Sequence, residues 1–195
     1  RINEALHIHT KWDCDCSKFQ ELDGFKLTEN QCKTSQYMCE NNIVLLVGYG
    51  GSGKSSSTQA FVNMLNAYNK RHLLLAPTGR AAKVLSGFTN ENAMTIHRGL
   101  MYMPPTDWGF NEENKLPYDV VIVDEFSMVD IFLFRKLLEA IDFEKTKLLL
   151  IGDDAQIPSV GAGNVLYDLL KCENIPTITL DKVFRYGKGG LSTVA

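Results

Sequence analysis

Apolar residues gather along this chain in short runs, and between the runs they recur at helical spacing. Ile43, Val44, Leu45, Leu46 and Val47 form one run, and Leu73, Leu74, Leu75 and Ala76 a second. Val120, Val121, Ile122 and Val123 form a third, and Leu148, Leu149, Leu150 and Ile151 a fourth. Such unbroken runs predict strands covered on both faces, the pattern of a parallel sheet. An alternating segment at 177–180 predicts a last strand. Ala60, Phe61, Met64, Leu65 and Tyr68 fall on one helical face. So do Val129, Phe132, Leu133, Leu137, Leu138 and Ile141, which predicts a helix over 128–141. Further helices are expected from Arg80 onward, over a short stretch at 95–98, and over 164–170. Strand and helix alternate, so the expected fold class is α/β with a mostly parallel central sheet.

The start of the chain is harder to read. Ile2, Leu6 and Ile8 suit a short strand or a helix equally. Residues 1–26 are expected to be a linker or the end of a preceding domain, with 27–195 forming one domain. Thr28 followed three residues later by Gln31 is a capping box, which predicts a helix to about Cys39. Residues 102–118 carry Pro104, Pro105, Gly109 and Pro117 among polar residues and predict a long surface loop.

Chemistry sits where the apolar runs stop. After Val47 comes Gly48-Tyr49-Gly50-Gly51-Ser52-Gly53-Lys54-Ser55, a P-loop by pattern, with a strand before and a helix after. Its glycines let successive backbone N–H groups close on a phosphate, and the helix N-terminus adds positive potential. Gly50, Gly51, Ser52, Gly53, Lys54, Ser55 and Ser56 are the expected nucleotide-binding residues. Lys54 neutralises charge on the outer phosphates, and Ser55 offers a hydroxyl to Mg²⁺. Asp124 and Glu125 end the third run. Asp124 suits Mg²⁺, and Glu125 suits accepting a proton from an attacking water. Gln156, after the fourth run, has an amide suited to the γ-phosphate or that water. Ligands in open α/β sheets lie beyond the carboxyl ends of the strands, so these groups are expected to converge.

Composition narrows the partners. The net charge is −3, yet from Asn41 to Asn90 there is no Asp or Glu, while Lys54, Lys70, Arg71, Arg80 and Lys83 fall there. A basic half suits a polyanion, either nucleotide or nucleic acid, although a plain solvated face is the competing reading. No apolar run approaches the roughly 18 residues of a membrane helix, so no membrane partner is expected. Five cysteines suggest a reducing, cytoplasmic setting. His7, His9, Cys14 and Cys16 cluster, but C-x-C is not the usual zinc spacing, so structural cysteines are the expected reading.

Several blocks in order are similar to the first motor domain of a superfamily 1 helicase of the RecD-like branch. They are 27–31, the P-loop, Ala76-Pro77-Thr78-Gly79-Arg80-Ala81-Ala82-Lys83, Thr95-Ile96-His97-Arg98, the segment 123–130, Gly152-Asp153-Asp154-Ala155-Gln156 with the residues to Val160, and Val183-Phe184-Arg185-Tyr186. The resemblance covers about residues 27–195 and implies a P-loop NTPase (RecA-like) three-layer sandwich. It implies ATP and Mg²⁺ as cofactors, single-stranded DNA as partner, and movement along DNA from 5′ to 3′. Gln31 resembles the adenine-reading glutamine, and Arg185 the arginine that contacts the γ-phosphate. Pro77, Thr78, Arg80, Thr95 and His97 fall in motifs that contact single-stranded DNA. Phe126 stands where a small residue is common, and Tyr186 where glutamine is common. The chain stops soon after Arg185, so the second motor domain is expected outside it, and this stretch alone is expected to hydrolyse ATP poorly. A P-loop phosphotransferase and a non-catalytic nucleotide-binding module are the alternatives.

Overall fold

The structure is a computed structural model that describes residues 2–8, 10–153, 155 and 163–181. The chain opens with helix α1 (Ile2–His7) and a small hairpin, β1 (Glu21–Leu22) and β2 (Phe25–Lys26). Helix α2 (Glu29–Glu40), strand β3 (Ile43–Gly48) and helix α3 (Lys54–Ala67) follow. Next come β4 (His72–Ala76), α4 (Gly79–Thr89), β5 (Ala93–Thr95) and the single turn α5 (Ile96–Gly99). A second hairpin, β6 (Tyr102–Met103) and β7 (Asp107–Trp108), precedes β8 (Val120–Val123) and α6 (Ile131–Ala140). The remaining elements are β9 (Lys147–Gly152), α7 (Val165–Leu170) and β10 (Thr177–Leu180).

The central sheet has six strands in the order β10-β3-β9-β8-β4-β5, and every neighbouring pair is parallel. Strand alternation splits the core into two layers. Leu45, Val47, Leu75, Val121, Val123, Leu148 and Leu150 face one side, against Ile96, Phe134, Leu137, Val165 and Leu166. Val44, Leu46, Leu74, Val120, Ile122, Leu149 and Ile151 face the other, against Met38, Phe61, Met64, Leu65 and Leu85. Helices α5, α6 and α7 therefore cover one face and α2, α3 and α4 the other. This is the expected three-layer sandwich around a parallel sheet. Because all six strands run the same way, all their carboxyl ends open on a single rim.

The N-terminal residues lie against this body. Ala5 is buried in the layer that holds α6, and Trp12 N–H donates to the Cys39 carbonyl at 2.9 Å.

Three local features differ from the expectations. The helix expected over 128–141 starts only at Ile131, because Asp130 caps it through the Leu133 N–H and a 3-10 turn occupies Phe126–Met128. The expected loop at 102–118 contains the β6–β7 hairpin, in which Tyr102 sits opposite Trp108. Strand β5 was not expected, since a three-residue, half-exposed edge strand leaves almost no periodic signal.

Candidate nucleotide and nucleic-acid site

The P-loop joins β3 to α3. Gly53 caps α3 at φ +95°, a left-handed conformation that side chains rarely adopt, and a Cβ there would also collide with the Gln31 amide. The backbone thus requires glycine at this position, and a side chain there would also displace the Gln31 amide. Gln31 forms the expected capping box, its Oε1 accepting from the Thr28 N–H at 2.8 Å. Its Nε2 donates to the Gly53 carbonyl at 3.3 Å, which ties the start of α2 to the P-loop.

Gln31, Gly50, Gly51, Gly53, Lys54, Ser55, Ser56, Asp124 and Glu125 line one cavity of about 320 Å³. Tyr49 joins them, together with Val84 and Phe88 of α4. No motif marks Val84 and Phe88; their four-residue separation on a helix was the signal available. A second cavity, of about 250 Å³, shares Gln31 and Ser56 and is bounded by Leu22, Phe25, Lys26 and Leu27 around the first hairpin.

The donors suit a metal-bound polyphosphate. The Lys54 ammonium donates to the carbonyls of Gly48 and Tyr49, the latter at 3.0 Å. The Ser52 hydroxyl is buried in the loop without a hydrogen-bond partner among the described residues. Asp124 follows β8, donates its own N–H to the Leu75 carbonyl at 2.9 Å, and accepts from the Glu125 N–H at 2.9 Å. Burial pushes its carboxyl up to about 6; the Glu125 charge adds to this, while the Glu125 N–H and Lys54 oppose it. A cation beside Asp124 would restore the ionised form. Glu125 takes φ +52°, ψ +38°, a strained conformation for a residue with a side chain.

The residues expected to meet DNA lie farther along the same rim, after β4 and β5, and none of them lines the nucleotide cavity. Thr78 caps α4 through the Ala81 N–H, and Thr95 caps α5 through the Arg98 N–H, each at 3.2 Å. Pro77 is half-buried before Thr78, and Arg80 is exposed on the first turn of α4. His97 is exposed, stacked on Trp108 with centroids 5.6 Å apart and set edge-on to Tyr102. Gln156 and Arg185 lie outside the described residues.

Residues 26–194 match the family described as AAA domain. The chain belongs to this family. Its AAA domain is 37% identical over 159 residues to the ATP-dependent RecD2 DNA helicase of Deinococcus radiodurans, covering 82% of this chain and 22% of that protein. It is 33% identical to the RecBCD enzyme subunit RecD of Mycolicibacterium smegmatis, covering 73% of this chain and 30% of that one. The chain thus spans less than a third of these curated relatives. Among solved structures, a Pif1 helicase from Candida albicans matches with a TM-score of 0.61 at 23% identity, covering 82% of this chain and 41% of that one. A Bacteroides Pif1 helicase in complex with ADP-AlF3 and single-stranded DNA matches with a TM-score of 0.56, also at 23% identity, covering 82% of this chain and 43% of that one. These likenesses bear out the expected fold and the RecD-like resemblance. No helix among the described residues of this AAA domain is long and apolar enough to cross a membrane.

Proposed function

We propose that this AAA domain is the ATP-binding motor lobe of a DNA helicase or translocase acting on single strands. One observation carries the reading: Gln31, Lys54, Ser55, Asp124 and Glu125, scattered over the sequence, border a single cavity at the strand-end rim. Thr78 and Thr95 stand at neighbouring strand ends of that rim. Nucleotide and strand would therefore occupy adjoining parts of one rim, which is what coupling between them needs.

The P-loop N–H groups and Lys54 hold the phosphates. Ser55 and Asp124 hold Mg²⁺, which when bound neutralises charge on the phosphate oxygens. Glu125 orients the attacking water and takes its proton. Gln31 lies between the phosphate cavity and the hairpin cavity, where the base would sit against Phe25 and Leu27. Gln156 and Arg185 are assigned to the γ-phosphate by resemblance. The second motor domain supplies the other wall of the cleft, movement runs 5′ to 3′, and the free cysteines suit a cytoplasmic setting.

The test is ATP turnover by the full-length protein with and without single-stranded DNA. Stimulation by DNA that disappears in Glu125→Gln supports the reading. Turnover indifferent to DNA would point instead to a phosphotransferase.

A further inference from the structure

Away from the strand-end rim, three cysteines converge where the N-terminal segment meets the end of α2. All five cysteines of the chain are free thiols. Cys14 and Cys16 are half-buried, whereas Cys39, in the last turn of α2, is 6% exposed. The sulfurs of Cys16 and Cys39 lie 3.6 Å apart although 23 residues separate them in sequence. We infer that Cys16 and Cys39 are a redox-active dithiol, which hydrogen peroxide converts into a reversible disulfide.

The pair is held together before any oxidant arrives. Cys16 and Cys39 share a thiol hydrogen bond, and the Met64 thioether lies 3.8 Å from Cys16 Sγ. The Trp12 N–H donates to the Cys39 carbonyl at 2.9 Å, and the Asp15 N–H to the Tyr68 hydroxyl at 2.8 Å. The segment leading to Cys16 is thus fixed at two points. A disulfide needs about 2 Å between its sulfurs, so the two must close by roughly 1.5 Å. Cys16 opens a four-residue 3-10 turn, which adjusts more readily than the buried end of α2. Among the described residues, no three acidic, histidine or cysteine side chains are arranged to hold a metal, which leaves the cluster to sulfur–sulfur chemistry.

Hydrogen bonding sets which sulfur attacks. The bond from Cys39 favours the Cys16 thiolate and holds that thiol below its usual range, against burial and the Asp15 and Glu40 carboxylates. Cys39 keeps the proton and stays above that range, through this bond first and burial second. The ammonium groups of Lys70 and Lys147 act on the same cluster, with Asp13 opposing them. The Cys16 thiolate attacks a peroxide oxygen: an S–O bond forms, the O–O bond breaks, and the departing hydroxide takes a proton and leaves as water. The Cys39 sulfur then attacks the Cys16 sulfenic acid: the S–S bond forms, the S–O bond breaks, and the hydroxyl leaves with the Cys39 proton as water. The sulfurs lose the electron pair that the peroxide gains. A dithiol reductant reverses the bond by exchange. The loop so closed carries the β1–β2 hairpin that bounds the cavity of about 250 Å³ beside the P-loop, so oxidation fastens that hairpin to α2.

The experiment treats the folded full-length protein with hydrogen peroxide, alkylates the remaining thiols and maps tryptic peptides without reduction. Peptide 12–18 carries Cys14 and Cys16, 34–54 carries Cys39, and 27–33 carries Cys32. A link between 12–18 and 34–54 is expected, reversed by dithiothreitol and diminished by roughly ten-fold or more in Cys16→Ser. Cys14→Ser and Cys172→Ser should keep it. The oxidised unaltered protein should also unfold at higher urea than the reduced one, and peroxide should bring no such gain to Cys16→Ser. Absence of the link in the unaltered protein overturns the dithiol, as does a link that persists undiminished in Cys16→Ser. A link that forms only after urea has unfolded the protein overturns it equally.

Discussion

The Gln31 amide donates to the carbonyl of Gly53, so one side chain both caps α2 and braces the P-loop. Gln31 is only 7% exposed, and both ends of its amide are used. The two roles can be separated. Gln31→Glu keeps an acceptor for the Thr28 N–H but turns an oxygen toward the Gly53 carbonyl. It should weaken ATP binding several-fold and cost stability at neutral pH, where a buried carboxylate oxygen faces a carbonyl, a cost relieved in acid, where the protonated group can donate again. Gln31→Ala should lose both, at a cost of about 1–2 kcal/mol in unfolding free energy. Calorimetric ATP binding beside denaturant unfolding distinguishes them; equal behaviour of the two variants would reduce the glutamine to a cap.

Asp124 gives a pH dependence with a definite sign. Its folded carboxyl is pushed up to about 6, from an ordinary value of 3.8. The fold therefore favours the protonated form, and the cost of ionising it grows as pH rises from about 4 to about 6 and is complete above that. Asp124→Asn removes this cost. It should be more stable than the unaltered protein near pH 8, by at most about 3 kcal/mol, and no more stable below about pH 4. Mg²⁺ with nucleotide should narrow the gap by stabilising only the aspartate form. A gap that does not change with pH would contradict the burial argument.

Glu125 combines chemistry with strain. Glu125→Gln should keep ATP binding and lower turnover by about 10²–10⁴-fold, the usual loss of a general base. Glu125→Gly relieves the left-handed backbone at φ +52°. It should abolish turnover to a similar degree yet unfold at higher denaturant, by about 1 kcal/mol. A destabilised glycine variant would show that neighbouring contacts, not function, hold Glu125 in that conformation.

The legible parts of this fold were those with a strong local period. The four unbroken apolar runs are all strands of the central sheet, buried throughout except at His72, where β4 begins. The P-loop and Asp124–Glu125 were found because special residues at strand ends need no tertiary knowledge. Strand β5 escaped because its three half-exposed residues pair only along β4. The late start of α6 escaped because Met128 and Val129 continue the apolar period, while the backbone at Glu125 and the Asp130 cap interrupt the helix. Val84 and Phe88 gain their place at the nucleotide cavity only from neighbours distant in sequence. Motif reading does not reach such contacts.

Lys147 shows how much of the structure lies away from the strand-end rim. It begins β9, at the amino ends of the strands, and is 1% exposed. Its ammonium donates to the carbonyls of Thr10, Asn41 and Cys39 and lies 5.0 Å from the Trp12 ring centroid. It thus pins residues 10–12 to the end of α2. Burial lowers its pKa to about 8, and the Lys70 charge adds to this. The folded value is below the ordinary 10.5, so folding favours the neutral amine. The charge therefore costs stability below about pH 8, and this cost fades as pH rises toward 10.5. The three carbonyls nevertheless need a donor, and the neutral amine still supplies one. Lys147→Met removes every donor at once and should destabilise the domain by about 3 kcal/mol or more at neutral pH. Because the unaltered protein sheds its charge penalty at higher pH and the methionine variant has none to shed, the deficit should widen between about pH 8 and 10. Urea unfolding of both proteins across that range measures it, and a deficit that narrows would mean the buried charge itself, not the donor, holds the N-terminal segment.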